Sequence, residues 1–260
     1  MNKQLRVLTI TAVILSFSAI SLAVQTYHTA LEPTAIEIIR NAQEKMQGKT
    51  SIAEMKITIT RPKWSRSMSL KSWSKGTKYG MTLITDPARD KGTVFLKKDK
   101  EVWNWVPSVE RTIKLPPSMM SQSWMGTDLT NDDLVKESSM VDDFTHTKLG
   151  KDSVNGRNCY KISSIPKEDA AVVWGKIITW IDVTDFIQMK TEFYDEDDEL
   201  VNTFTAYGIK KMGGILVASK VDIIPSDKPG QKTQLEYESL IFNSPIEDNF
   251  FTTQNMKKVK

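Results

Sequence analysis

The chain has 260 residues, 35 Lys and Arg against 32 Asp and Glu, a net charge of +3, and 40% hydrophobic residues. That length suits one large domain or two small ones, and the near-neutral balance excludes the strongly cationic surface of a nucleic-acid binder. A lone cysteine, Cys159, excludes an intramolecular disulfide, and two distant histidines, His28 and His146, leave zinc short of ligands.

The N-terminus reads as a secretory signal over residues 1–23. Lys3 and Arg6 supply its charged end, residues 7–24 are apolar and small, and Ser21-Leu22-Ala23 offers the small-x-Ala cleavage pattern. The rival reading is a retained anchor, since 18 residues is near the lower limit for a membrane span. The polar residues within the stretch and the cleavage pattern favour removal, which takes the net charge to +1. No Cys lies near the cut, so the chain is not expected to be acylated there.

A helix is predicted from Pro33 to Gly48, with Pro33 in its first turn and Gly48 just past its end. Ile36, Ile39, Ala42 and Met46 recur at helical spacing and form its apolar stripe. After Gly48 the period becomes two. Met55, Ile57 and Ile59 alternate with polar residues, as do Met68 and Leu70, then Tyr79, Met81 and Leu83. Two strands flank Lys98-Asp99-Lys100, and Asn155-Gly156 marks a two-residue hairpin. Further strands are expected near 176–182, 186–194, 199–206, 214–224 and 231–243, with turns at Asp195–Asp198 and Gly213-Gly214. About eleven to thirteen short strands with short connections argue for an antiparallel barrel or sandwich; parallel pairing would need crossover helices that the spacing has no room for. Residues 116–140 and 166–175 are irregular inserts, and Asp128 or Thr130 is placed to cap a short helix within the first. With no repeat and no low-complexity linker, residues 24–260 read as one domain.

Few residues carry candidate chemistry. The acidic run 195–199 lacks the alternating ligands and central glycine of a calcium loop and reads as a solvated hairpin tip. Cys159 lies in a strand and reads as a small buried hydrophobe. Ser123 and His146 do not sit in a Gly-x-Ser-x-Gly elbow. No catalytic residue, metal ligand or cofactor is assigned.

The segment 101–139 stands apart. Trp103 and Trp105 share one strand face, and a long loop then gathers Met119, Met120, Trp124 and Met125. Thioethers and rings beside a sheet suit either ordinary packing or a surface that accepts a variable apolar partner. Arg111 and Lys114 follow Pro107 on an edge-like strand, as a solvated face or as cations for anionic head groups. Gly126 directly follows the Trp-Met pair, where a residue without Cβ lets the backbone bend.

In this segment the chain resembles the LolA-like outer-membrane lipoprotein-sorting proteins. The resemblance rests on Trp103, Trp105, Pro107, Arg111, Lys114, Leu115, Pro116, Ser123, Trp124, Met125, Gly126, Thr127 and Asp128, and it runs from the helix at Pro33 to the closing residues 241–252. It implies an incomplete antiparallel β-barrel with helices covering the opening. It also implies a monomeric, non-catalytic periplasmic carrier, binding a lipid or the acyl chains of a lipoprotein in a hydrophobic cavity, with an inner-membrane transporter complex as a candidate partner. Trp103, Trp105, Met119, Met120, Trp124, Met125, Arg111 and Lys114 are the expected ligand-binding residues, and residues 116–140 the expected movable cover. The alternative is a periplasmic sensor or adaptor acting through protein contacts, as in the related fold of the stress-signalling protein RseB.

Overall fold

Among the described residues, thirteen strands pair antiparallel with their neighbours in a single sheet. The computed structural model describes residues 32–131, 133, 140–168, 170 and 172–260. The signal expected over 1–23 and His28 lie outside these residues.

In chain order the strands are β1 (Thr50–Arg61), β2 (Trp64–Lys75), β3 (Tyr79–Asp86), β4 (Val94–Lys98), β5 (Glu101–Val106), β6 (Arg111–Lys114), β7 (Phe144–Val154), β8 (Arg157–Pro166), β9 (Lys176–Asp182), β10 (Gln188–Tyr194), β11 (Leu200–Met212), β12 (Ile215–Pro225) and β13 (Lys232–Phe242). Their lateral order is β6-β5-β4-β3-β2-β1-β13-β12-β11-β10-β9-β8-β7. The sheet is therefore open, with β6 and β7 as its two edges, and the architecture is the expected incomplete barrel. Thirteen strands match the upper end of the expected count; β6, four residues long, is too short to show a period of two on its own. At the β7–β8 hairpin, Asn155 (φ 50°) and Gly156 (φ 77°) are both left-handed, as an Asn-Gly turn requires. β6 and β7 are consecutive in sequence but lie at opposite edges of the sheet.

Helix α1 (Ala35–Gln47) starts two residues later than the expected Pro33. The N-cap is Thr34, whose hydroxyl accepts from the Glu37 N–H at 3.4 Å while the Glu37 carboxylate accepts from the Thr34 N–H at 2.7 Å. Pro33 thus precedes the cap rather than opening the first turn. The apolar stripe is rotated accordingly: Ala35, Ile38, Ile39 and Ala42 are buried, and Ile36 is 39% exposed. This stripe packs on Tyr160 and Ile162 of β8, Ile181 of β9, and Met140 and Val141 of α2 (Met140–Asp143).

Direct cross-strand partners share a face of the sheet. One row runs Arg66–Ile59–Thr233–Ile223–Phe204–Thr191–Thr179–Ile162, from β2 to β8. Ile162 lies under α1, so α1 and everything that packs beside Ile59 lie on one face, called here the inner face.

Candidate functional site

The inner face on the β1–β4 side is a continuous apolar floor of Ile57, Ile59, Met68, Leu70, Ile84 and Phe95, all buried. What buries them is a stretch of irregular chain, residues 115–131, rather than a second sheet. Trp124 is 2% exposed, and its ring meets Phe95 edge-on at a centroid distance of 5.5 Å. Met125 packs beside it, and Met119 and Met120 lie against Val102 and Leu115 farther toward the edge. The Trp124 indole N–H is buried and meets no acceptor among the described residues.

Polar contacts concentrated at one corner fasten this cover. Arg61 donates from Nη1 and Nη2 to the two Asp128 carboxylate oxygens, each at 3.0 Å, and from Nη2 to the Gly126 carbonyl at 3.0 Å. Arg66 donates to the Met125 carbonyl. Thr233 donates to Asp128 at 2.7 Å and accepts the Asp128 N–H at 3.0 Å. The side chains of Arg61 and Asp128 are 12% and 6% exposed, so the pair is largely removed from water. Bidentate Arg–carboxylate geometry of this kind is among the stronger protein hydrogen bonds. Gly126 has φ 72°, and a Cβ there would sit 2.8 Å from Arg66 Nη2, so glycine admits both the bend and the guanidinium. Thr130 and Asp133 exchange hydrogen bonds at the next bend, while Asp128 is committed to Arg61. Most of the residues of the short helix expected next lie outside the described ones.

The structure divides the expected ligand-binding residues between two faces. Phe95 and Leu96 are adjacent and point oppositely. Phe95 meets Trp124 on the inner face, whereas Leu96 belongs to the row Trp73–Met81–Leu96–Trp103–Lys114 on the outer face. Trp103 and Trp105 are therefore separated by the sheet from Met119, Met120, Trp124 and Met125. The outer face is covered by the C-terminal residues, with Phe251 and Met256 buried against Trp73, Met81 and Leu96. Lys114 lies 5.6 Å from the Trp103 ring and pairs with Glu101, and Lys257 lies 5.1 Å from the Trp105 ring. Arg111 is exposed on edge strand β6.

Two cavities flank these layers. One of about 380 Å³ on the outer face is lined by Trp103, Thr112, Lys114, Thr253, Gln254 and Lys257. Another of about 630 Å³ lies at the end of the cover, between Ser123–Thr130 and the ends of β11 and β12, with Trp174, Leu200 and Pro225 in its wall. Among the described residues no group of three or more His, Cys, Asp or Glu is placed to hold a metal ion. His146 shares a 2.8 Å hydrogen bond with Ser164, and burial lowers its pKa. Cys159 is fully buried, and that burial pushes its thiol up to about 11, where it does not act as a nucleophile at neutral pH.

Sequence reasoning missed Arg61, Arg66 and Thr233. Their partners lie 67, 59 and 105 residues away, beyond any local pattern. Arg66 did carry one signal, since a cation at an inward position of an alternating strand needs a polar partner.

A family model described as an uncharacterized protein matches residues 76–258. No curated protein matches the chain. Solved structures of the same fold include a DUF1329 family protein from Desulfovibrio piger, with 20% identity, TM-score 0.78, and coverage of 85% of this chain and 97% of that one. A domain from Vibrio parahaemolyticus named for outer membrane lipoprotein sorting shares 22% identity, with TM-score 0.75 and coverage of 86% and 98%. A LolA superfamily protein from Nitrosomonas europaea shares 22% identity, with TM-score 0.72 and coverage of 85% and 99%.

Proposed function

We propose that this chain, which belongs to the family whose model matches residues 76–258 and shares the fold of the LolA superfamily protein, is a non-catalytic periplasmic carrier. It takes up a lipid, or the acyl chains of a lipoprotein, on the inner face of the sheet beneath residues 115–131. Residues 1–23 act as a cleaved export signal, and residues 24–260 form the single mature domain.

One observation carries this reading: a continuous apolar floor is covered by an irregular segment tied down at an Arg-Asp corner, not by a second sheet. The exchange is balanced in size: burying the Trp124 indole is worth about 3 kcal/mol and each charged hydrogen bond at the corner about 1.5–3 kcal/mol, against a gain on the order of 12 kcal/mol for a cargo chain of ~15 methylenes leaving water. The unpaired Trp124 N–H would then find an acceptor in an ester or amide carbonyl of the cargo. Met119, Met120 and Met125 suit repacking around different chains, because an unbranched thioether changes rotamer at little cost.

A photoactivatable fatty acid tests the location. Crosslinking followed by peptide mapping is expected to mark Ile57, Leu70, Phe95 and residues 119–125. Adducts confined to Trp103, Trp105 and the C-terminal residues would move the site to the other face and refute this reading.

A further inference from the structure

The two arginines that hold the cover also flank an exposed tryptophan. Trp64 is 50% exposed and closes the β1–β2 hairpin opposite Arg61. The guanidinium carbons of Arg61 and Arg66 each lie 5.9 Å from its ring centroid. Pro62 and Lys63 form the exposed tip; of the three cations in residues 61–66, Arg61 is neutralised by Asp128, which leaves Lys63 and Arg66 beside the indole. The tip lies beside the β12–β13 turn: a Cβ on Gly230 would lie 3.6 Å from Pro62 Cγ, and that turn exposes Lys228 next to Asp227, so it adds no net charge.

We propose that this hairpin tip docks on the surface of an anionic lipid bilayer. A single exposed apolar side chain on a protein surface is ordinary. This one differs in its chemistry and position. An indole has an apolar body and one polar N–H, which suits the boundary between acyl chains and head groups. Lys63 and Arg66 beside it attract anionic head groups, whereas Arg61 is held by Asp128. A two-residue turn at the end of a long, well-paired hairpin places the ring at the rim of the inner face without ordering any further chain. The charge selects an anionic bilayer over a neutral one, and the indole selects a bilayer over a soluble anion. The proposal goes beyond the carrier reading and does not need it.

The test uses the mature chain with vesicles of phosphatidylcholine alone or with roughly one third phosphatidylglycerol, read by co-sedimentation. The wild type is expected to bind the anionic vesicles only, and less as salt rises through the range that screens surface charge. Trp64→Ala and Lys63→Glu are each expected to lower that partitioning on the order of tenfold. Both are expected to keep the wild-type melting temperature, because both positions are exposed. Failure of the wild type to bind anionic vesicles, or variants that partition like the wild type, would overturn the proposal. Affinity for a fluorescent fatty-acyl probe, measured on the same samples, is expected to be unchanged in Trp64→Ala. Loss of probe binding in the wild type would count against the carrier reading alone.

Discussion

Asp128→Asn isolates the fastening of the cover. The substitution keeps the shape of the side chain and its contact with Thr233, while removing the charge that Arg61 grips with two hydrogen bonds of 3.0 Å. Charged hydrogen bonds in a largely buried setting contribute about 1.5–3 kcal/mol, so the closed cover should lose about 2 kcal/mol relative to the open one. Cargo binds the open form, and its apparent affinity is its intrinsic affinity scaled by the open fraction. Where closure dominates, 2 kcal/mol raises that fraction by a factor of about 30. A fluorescent fatty-acyl probe should therefore bind Asp128→Asn about 30-fold more tightly than wild type. Limited proteolysis within residues 115–131 should accelerate by a similar factor, because cleavage follows the population of the open form. Denaturant unfolding of the same variant guards against a trivial loss of fold. A probe affinity equal to or weaker than wild type, in a variant that remains folded, would refute the idea that Arg61 and Asp128 restrain a movable cover.

Other outcomes test the framework that holds the cover. Asp182 is 3% exposed; burial alone would raise its pKa, but Arg157 Nε at 2.8 Å and the Thr184 and Asp185 N–H groups together leave it lowered. A carboxyl depressed by folding stabilises above its unfolded pKa of about 3.9, and that stability is lost as pH falls through the folded value. Asp182→Asn should cost about 2–4 kcal/mol at pH 7 by denaturant midpoint, with a difference that shrinks below about pH 4. At Gly175 a Cβ would stand 2.2 Å from the Asp195 carbonyl oxygen, a backbone atom that cannot swing away. Gly175→Ala should therefore destabilise by about 1–3 kcal/mol, and an unchanged midpoint would contradict that packing. Cys159, with its thiol at about 11, should resist iodoacetamide in the native state and react once denaturant unfolds the chain.

The sheet was legible because it obeys a simple period. Ile57, Ile59, Met68 and Leu70 alternate with polar residues, and all four are buried on one face. The Asn155-Gly156 turn was equally plain, because the turn needs left-handed backbone that few residue pairs supply. The helix stripe was misread by one position. Thr34 and Glu37 form a capping box that is visible in the sequence, and reading it would have started the helix at Ala35. Trp103 and Trp105 were read as neighbours of Trp124 because they stand close in the chain. A period of two says that Trp103 and Trp105 share a face, but not which face the following loop will cross. The C-terminal residues decide that, since Phe251 and Met256 occupy the outer face and leave the inner one to Trp124. The Arg61–Asp128 corner was illegible for another reason: tertiary ion pairs follow no spacing rule.

Native mass spectrometry of the protein taken gently from periplasmic extract tests the central claim most directly. A carrier is expected to fly with an added mass near one equivalent, which organic extraction releases as an acyl-bearing molecule. Asp128→Asn should carry at least as much of it. A folded protein that shows only its bare polypeptide mass, and takes up no acyl probe afterwards, would contradict the account.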